Sequence, residues 1–354
     1  MTQSATLRFE PEALEQFAED VLAGAGLTAP HREIVARALV RADLRGVDSH
    51  GVARLEPYVE HLEAGGYNPD PDIVFSERSP SALVVDADHG PGQSAGTETM
   101  RRLVEMAAES GVAVGVVKHS NHFGTAAYYT EMAAEHGCIG FAMTNVPAEV
   151  IPFGGREPYL GTNPISVSVP SPLDYPITLD MATSVVAMGK IAHVAAEKGE
   201  SVPEEWGVDD EGAPTTDPTR ITALRPLGGA KGYCLGVIVD LLSGVLSGAN
   251  ISVDVGSLYD DFDQSMDAGH FFLVIDVATF RELDEFLAHV GRFVEGLKAI
   301  EPDAGVEEIM LPGEIESRTF AENRERGVPV NGNVFEKLTS IAAGYGVETP
   351  PVLD

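Results

Sequence analysis

Lysine is scarce in this chain: six residues in 354, at positions 118, 190, 198, 231, 298 and 337. With 23 Lys plus Arg against 55 Asp plus Glu, the formal net charge is −32. Phosphate backbones are bound by clustered Lys and Arg, so this balance excludes nucleic acid as a partner. Cysteine is rarer still. Cys138 and Cys234 lie far apart with no Cys-x-x-Cys spacing, which predicts buried thiols in a reducing compartment. Long apolar runs are missing too. The longest candidate, Tyr233 to Ala249, contains Asp240 and several Gly and Ser, so it reads as a buried helix and not as a membrane span. The first ten residues, MTQSATLRFE, lack the basic and apolar pattern of a secretory signal, which predicts a cytoplasmic protein.

The acidic residues are spread along the chain instead of forming a tail, as expected of a coat on a folded surface. In ~1 M salt the Debye length falls to ~3 Å and self-repulsion is largely screened, so the charge predicts adaptation to a salt-rich cytoplasm. The alternative is an acidic soluble protein without that adaptation. Hydrophobic residues make up 44% of the chain, enough for a sizeable core. The length suggests two domains at a prior of ~150 residues each.

The N-terminal region has helical periodicity. Leu14, Phe17, Val21 and Leu22 share one face, Thr28 and Pro30 open a second helix, and a third is expected after His50, ending near Gly65-Gly66. From Ala82 the pattern changes to short apolar runs. Strands are expected at Ala82 to Asp86, Val112 to Val117, Ile139 to Met143, Ile165 to Val169, Ile177 to Asp180 and Phe271 to Asp276. Helices near Thr97 to Glu109, Thr125 to His136 and Gly232 to Leu246 intervene, giving an α/β fold. Leu283, Leu287, Val290, Val294 and Leu297 mark a long amphipathic helix, and Ser201 to Arg220 reads as a surface excursion.

Two short strings carry the chemistry. In Asp48-Ser49-His50-Gly51-Val52-Ala53-Arg54, His50 can transfer a proton, Ser49 can orient it, and Arg54 can grip a carboxylate through two parallel hydrogen bonds. Tyr58, one turn on, can add a hydroxyl. The competing reading is a helix cap at Asp48 or Ser49 with a surface arginine. In Lys118-His119-Ser120-Asn121-His122-Phe123-Gly124, imidazoles and the Asn121 amide follow a strand and precede a helix, a common ligand position in α/β proteins. The competing reading is that His119 and His122 satisfy backbone groups in a tight turn. A metal site of His50, His119 and His122 would serve a hydrolase, but no HExxH or closely spaced acidic ligand accompanies them. No metal is expected. Gly90-Pro91-Gly92-Gln93-Ser94-Ala95 imitates a dinucleotide fingerprint, yet the next strand ends in Lys118 where an acidic ribose ligand is needed. Lys231, with Gly232 beside it as a second cofactor contact, lies at a helix start among small residues, a suitable place for a cofactor phosphate. It is not a Walker lysine, since Gly232 stands where Ser or Thr is required.

With Gly161-Thr162-Asn163-Pro164, Asp180-Met181-Ala182-Thr183-Ser184 and Gly228-Gly229-Ala230-Lys231-Gly232-Tyr233 in the same order, the chain resembles the malate/L-lactate dehydrogenase family. That family includes sulfolactate, ureidoglycolate and piperideine-2-carboxylate enzymes and is distinct from Rossmann-type lactate dehydrogenases. The resemblance runs from about Phe9 to about Val330. It implies a mixed-sheet, cofactor-binding α/β core of non-Rossmann topology over residues 76–300. Residues 1–75 and 301–354 would form a helical companion domain, and the protein would be a homodimer. The implied activity is NAD- or NADP-dependent hydride transfer on a small 2-hydroxy or 2-oxo acid; a cyclic imine acid, or a non-catalytic acidic binding role, is the alternative. For the chemistry the resemblance implies His119, with Ser49 and His50 as a proton relay and Lys190 where some relatives have Asp. For substrate it implies Arg54, Thr162, Met188 and Gly189. For cofactor it implies His122, Phe123, Gly124, Thr125, Ala126, Asp180, Met181 and Ala182, and a C-terminal segment with Gly313 and Glu314 closing over it.

Overall fold

The computed structural model describes residues 6–196 and 200–353. Three helices open the chain, α1 (Pro11–Gly24), α2 (His31–Leu44) and α3 (Leu55–Ala64), preceded by a short strand β1 (Thr6–Phe9). Their apolar stripes meet in one core containing Phe9, Leu14, Phe17, Leu39, Leu55 and Tyr58. A returning C-terminal segment completes it. Strand β11 (Val328–Asn331) pairs antiparallel with β1, and the final helix α10 (Gly332–Tyr345) adds Leu338 and Ala342. Leu258 and Met266, from the middle of the chain, join this same core.

The second core lies against a seven-stranded mixed sheet. Its strands are β2 (Val74–Ser79), β3 (Ala82–Asp86), β4 (Val112–Ser120), β5 (Cys138–Thr144), β6 (Ile165–Val169), β7 (Ile177–Met181) and β10 (Ala268–Asp276), in the order β2-β3-β4-β10-β5-β6-β7. Only β3 and β4 run parallel. β10 inserts between β4 and β5 from far along the sequence, and its near-continuous burial fits a central position. β2 carries Ser76, Glu77 and Arg78 and forms a polar edge. Helices α4 (Gly92–Ser110) and α5 (Ala127–Glu135) pack Met100, Leu103, Ala107, Tyr129 and Ala133 against Val85, Val117, Phe272 and Val274.

Three expectations need correction. The stretch 201–220 is no mere excursion: with the two-residue strands β8 (Gly207–Val208) and β9 (Ala223–Leu224) it builds a third cluster of Val150, Leu160, Ile191, Val202, Ile221 and Leu224. α6 (Met188–Ala196) contributes Ile191 to it. The helix expected to be buried near Tyr233 is α7 (Ala230–Asp240), continued by a wide turn at Leu241–Val245, and it exposes Leu235, Ile238, Leu241 and Val245. Cys234 on that helix is exposed, whereas Cys138 is buried. The remaining helices are α8 (Leu283–Lys298) and α9 (Glu314–Arg326). Among the described residues no helix is long and apolar enough to cross a membrane.

Candidate active site

A cavity of about 1080 Å³ opens where the helical core, the carboxyl end of β4 and the segment before α9 meet. Its wall includes His50, Arg54, His122, residues 123–126, Glu149, Thr162, Asp180, Met181, Ala182, Met188, Gly189 and residues 310–313. The volume lies at the upper end of the range for small-molecule and cofactor sites.

The first string does not enter α3 as one helix. It forms two 3₁₀ turns, Asp48–His50 and Val52–Arg54, hinged at Gly51. Buried Asp43 on α2 fixes the hinge by accepting the Val52 N–H at 2.8 Å. A Cβ at Gly51 would lie 1.8 Å from that carboxylate, so glycine is required there. The hinge turns His50 and Arg54 to the cavity. Ser49 Oγ lies 2.9 Å from His50 Nδ1, leaving Nε2 for a ligand. Arg54 Nε donates to the Ser49 carbonyl at 2.6 Å, and its guanidinium lies 5.3 Å from the Tyr259 ring centre. Among the described residues no carboxylate pairs with Arg54 within 4.0 Å.

His122 faces His50, the rings stacked with centres 5.5 Å apart. Its Nδ1 is 2.6 Å from the hydroxyl of buried Tyr58, which in turn accepts from Gln93 Nε2 at 2.7 Å. The Gln93–Tyr58 pair thereby fixes the orientation of the His122 ring. Burial, with a smaller contribution from the Arg54 charge, lowers the pKa of His50 to about 4. Burial likewise holds His122 well below the ordinary histidine range, with His50 and Arg54 adding to the effect. Both imidazoles are therefore neutral at pH 7. The turn rests on Phe123, whose buried ring stacks on His270 at 4.6 Å; His270 is bonded to Thr144 and Ser120 at 2.8 Å each. Phe123 thus presents backbone, not ring, to the cavity.

The two histidines of the second string part company. His119 has a left-handed φ of +50° and its Nδ1 sits 3.0 Å from both oxygens of Asp86, outside the cavity wall. Of the two histidines, His122 lines the cavity and His119 does not. The three-histidine metal triad is not assembled for the same reason. Asn121 is consumed by the fold, donating to the carbonyls of His89 and Gly90 and accepting from Ser265 and Met266.

Six other expected site residues also lie off the wall, Ser49 and Tyr58 each behind the histidine it bonds. Lys190 is exposed and stacks on Trp206, 5.1 Å from the ring centre. Lys231 is exposed at the start of α7. Gly232 packs against the Leu227 backbone, where a Cβ would come within 2.4 Å. Glu314 is turned inward, binding Lys298 at 2.6 Å, Arg318 at 2.5 Å and the Leu311 N–H at 2.8 Å. Burial acts to raise its pKa, but these three partners prevail and hold it at about 2. Gly313 does line the cavity, with a left-handed φ of +83° at the start of α9. Asp180 both lines it and caps α5 by accepting the Ala127 N–H at 2.9 Å; burial raises its pKa to about 6.

Sequence reasoning missed Gln93, Arg45, Glu149 and Tyr259. Gln93 lay within the glycine-rich decoy, and its role was hidden because the decoy drew attention to backbone. The decoy's Gly92 serves packing, since a Cβ there would lie 2.3 Å from the Asn121 carbonyl.

Residues 9–339 match the sequence profile of the malate/L-lactate dehydrogenase family. A malate dehydrogenase of Pyrococcus horikoshii is 40% identical over 352 residues, covering 97% of this chain and 96% of that one. The NAD(+) ureidoglycolate dehydrogenase of Escherichia coli O157:H7 is 36% identical over 336 residues, covering 95% and 96%. The solved sulfolactate dehydrogenase of Methanocaldococcus jannaschii superposes with a TM-score of 0.90 at 35% identity, covering 98% of each chain. The chain belongs to the malate/L-lactate dehydrogenase family.

Proposed function

We propose that the His50–His122 pair exchanges a proton with the C2 oxygen of a small 2-hydroxy acid while Arg54 holds its carboxylate. As a member of this family the chain is an NAD(P)-dependent oxidoreductase of 2-hydroxy acids, of the class acting on CH–OH groups. The observation that carries the residue assignment is a guanidinium with no protein carboxylate, facing two neutral imidazoles in one cavity.

The residues present fit a nicotinamide dinucleotide. Residues 122–126, 180–182 and 310–313 line the wall, and a Cβ at Gly124 would meet only the Gln93 side chain, at 3.7 Å, so the main chain there is open to close approach. When bound, the nicotinamide accepts or supplies the hydride. The protein's part is orientation and proton handling. Arg54 fixes the carboxylate in a fork, and Tyr58 with Gln93 fixes the His122 ring. Neutral imidazole accepts the hydroxyl proton during oxidation. A carboxylate on Arg54 offsets the charge that depresses His50, so substrate binding favours the protonated pair that reduction needs. His50, nearer the exposed Ser49, relays the proton to solvent.

Arg54→Lys keeps the charge but loses the second hydrogen bond. The substrate KM should rise by the equivalent of ~1–3 kcal/mol while affinity for reduced cofactor, followed by fluorescence, stays unchanged. Equal damage to a 2-oxo acid and its amide analogue would remove Arg54 as the carboxylate anchor.

The net charge of −32 supports a salt-rich cytoplasm as the working environment. Against that acidic surface, the exposed row of Leu235, Ile238, Leu241 and Val245 supports a homodimer, which sedimentation of Ile238→Asp tests. The separate cores support a helical unit of 1–75 with 301–354 and an α/β unit of 76–300.

A further inference from the structure

Glu149 is the one acidic side chain near the reaction end of the cavity with no protein hydrogen bond or ion pair among the described residues. Its backbone is pinned on both sides: its N–H donates to Leu160 O at 2.9 Å, and its carbonyl accepts from Leu224 N at 2.8 Å. The carboxyl is thereby set in the wall within electrostatic reach of Arg54 yet beyond ion-pair distance. Burial raises its pKa and the Arg54 charge opposes that rise.

The remaining charges leave nothing to receive a second anionic group. Five charged side chains besides histidine line the cavity: Arg45, Arg54, Glu149, Asp180 and Glu316. Arg45 is committed to buried Glu131 at 2.5 Å, and that carboxylate also takes Arg41 at 3.0 Å. Arg54 is therefore the cavity's one available cation among the described residues, and the substrate's C1 carboxylate occupies it. A second carboxylate or sulfonate would meet Glu149 with no counter-charge, whereas an amide, ureido or hydroxyl group would give Glu149 the donor it lacks.

We infer that Glu149 makes this enzyme selective for monoanionic 2-hydroxy acids whose side chain ends in a neutral hydrogen-bond donor, against dicarboxylate and sulfonate analogues. The inference rests on the role proposed for Arg54 and goes beyond it, because the 2-hydroxy acid carboxylate is common to all these substrates.

Malate and its 4-amide are isosteric and differ in the charge that Glu149 faces. With purified full-length protein, kcat/KM should favour the 4-amide over malate by at least about tenfold, the effect of ~1.4 kcal/mol of like-charge repulsion. In Glu149→Gln that preference should collapse toward unity through a gain on malate that exceeds any change on lactate. NADH affinity, read by fluorescence, should not move. Glu149→Ala, checked for a native melting transition, should also lose the preference and shows whether the glutamine itself favours either substrate. A wild-type preference for malate, an unchanged ratio in both variants, or a shift in NADH affinity in place of the ratio would overturn the inference. Lack of turnover of lactate, malate and the amide alike, with either cofactor, would instead overturn the dehydrogenase reading beneath it.

Discussion

At the reaction end of the cavity Arg54 uses one donor on the Ser49 carbonyl and has no carboxylate partner among the described residues. At the segment before α9, Glu314 meets Lys298, Arg318 and the Leu311 N–H, and Arg318 extends the network to Glu308 at 2.5 Å. Both regions contribute to the cavity wall and both concentrate charge. The first leaves its charge for a ligand; the second neutralises it internally and fixes the course of the loop. A charged residue in a family motif therefore has its role decided by what the rest of the fold brings within hydrogen-bond distance.

Removing charge from each region breaks the comparison differently. The largest effect on stability is expected of Glu314→Gln, which leaves Lys298 and Arg318 without their shared buried carboxylate and should cost ~1–3 kcal/mol, read as a lowered Tm. Its kcat should stay within a few-fold of normal. Loss of turnover at unchanged Tm would make Glu314 a ligand contact after all. Next is a pH effect. Oxidation needs neutral imidazole, and the depressed pKa of about 4 keeps His50 neutral down to mildly acidic solution. The kcat/KM for the hydroxy acid should be flat from pH 8 to about 5, and then fall about tenfold per unit below 4. A fall centred near 6.5 would mean His50 is not held in this low-polarity pocket beside Arg54. The smallest effect, spread over the surface and not over either cluster, is that of salt. Molar KCl should raise Tm by a few degrees by screening self-repulsion. A Tm lowered by KCl would argue against salt adaptation.

Much of the sheet was legible because β-branched runs declare themselves. The ranges expected at Ala82–Asp86 and Ile165–Val169 are those of β3 and β6. β1 and β11 were missed: each is four residues long, and they pair from opposite ends of the chain, so neither carries a local signal. β2 was missed because an edge strand facing solvent shows little alternation. In the site, the motifs pointed to His50 for proton transfer, Arg54 for the carboxylate and His122 for the cofactor, and all three line the cavity. The distinction between His119 and His122 lies in a backbone turn: the left-handed φ at His119 sends its ring to Asp86. The contacts of Lys190 and Glu314 were not legible because Trp206 and Lys298, which engage them, lie outside the motifs. Glu149 had no motif at all. It is placed by hydrogen bonds to Leu160 and Leu224, contacts that only the folded chain creates.

The central claim is that side chains left unsatisfied at the cavity perform the chemistry, while those satisfied outside it hold the fold. His122→Ala and His119→Ala, three positions apart in the same string, test it in one assay of kcat with saturating cofactor. His122→Ala should lose ~10²–10⁴ in turnover, the usual loss for a general acid or base, while retaining cofactor binding; His119→Ala should stay within a few-fold of normal. The reverse ranking, with His119→Ala inactive and His122→Ala near normal, would contradict the account.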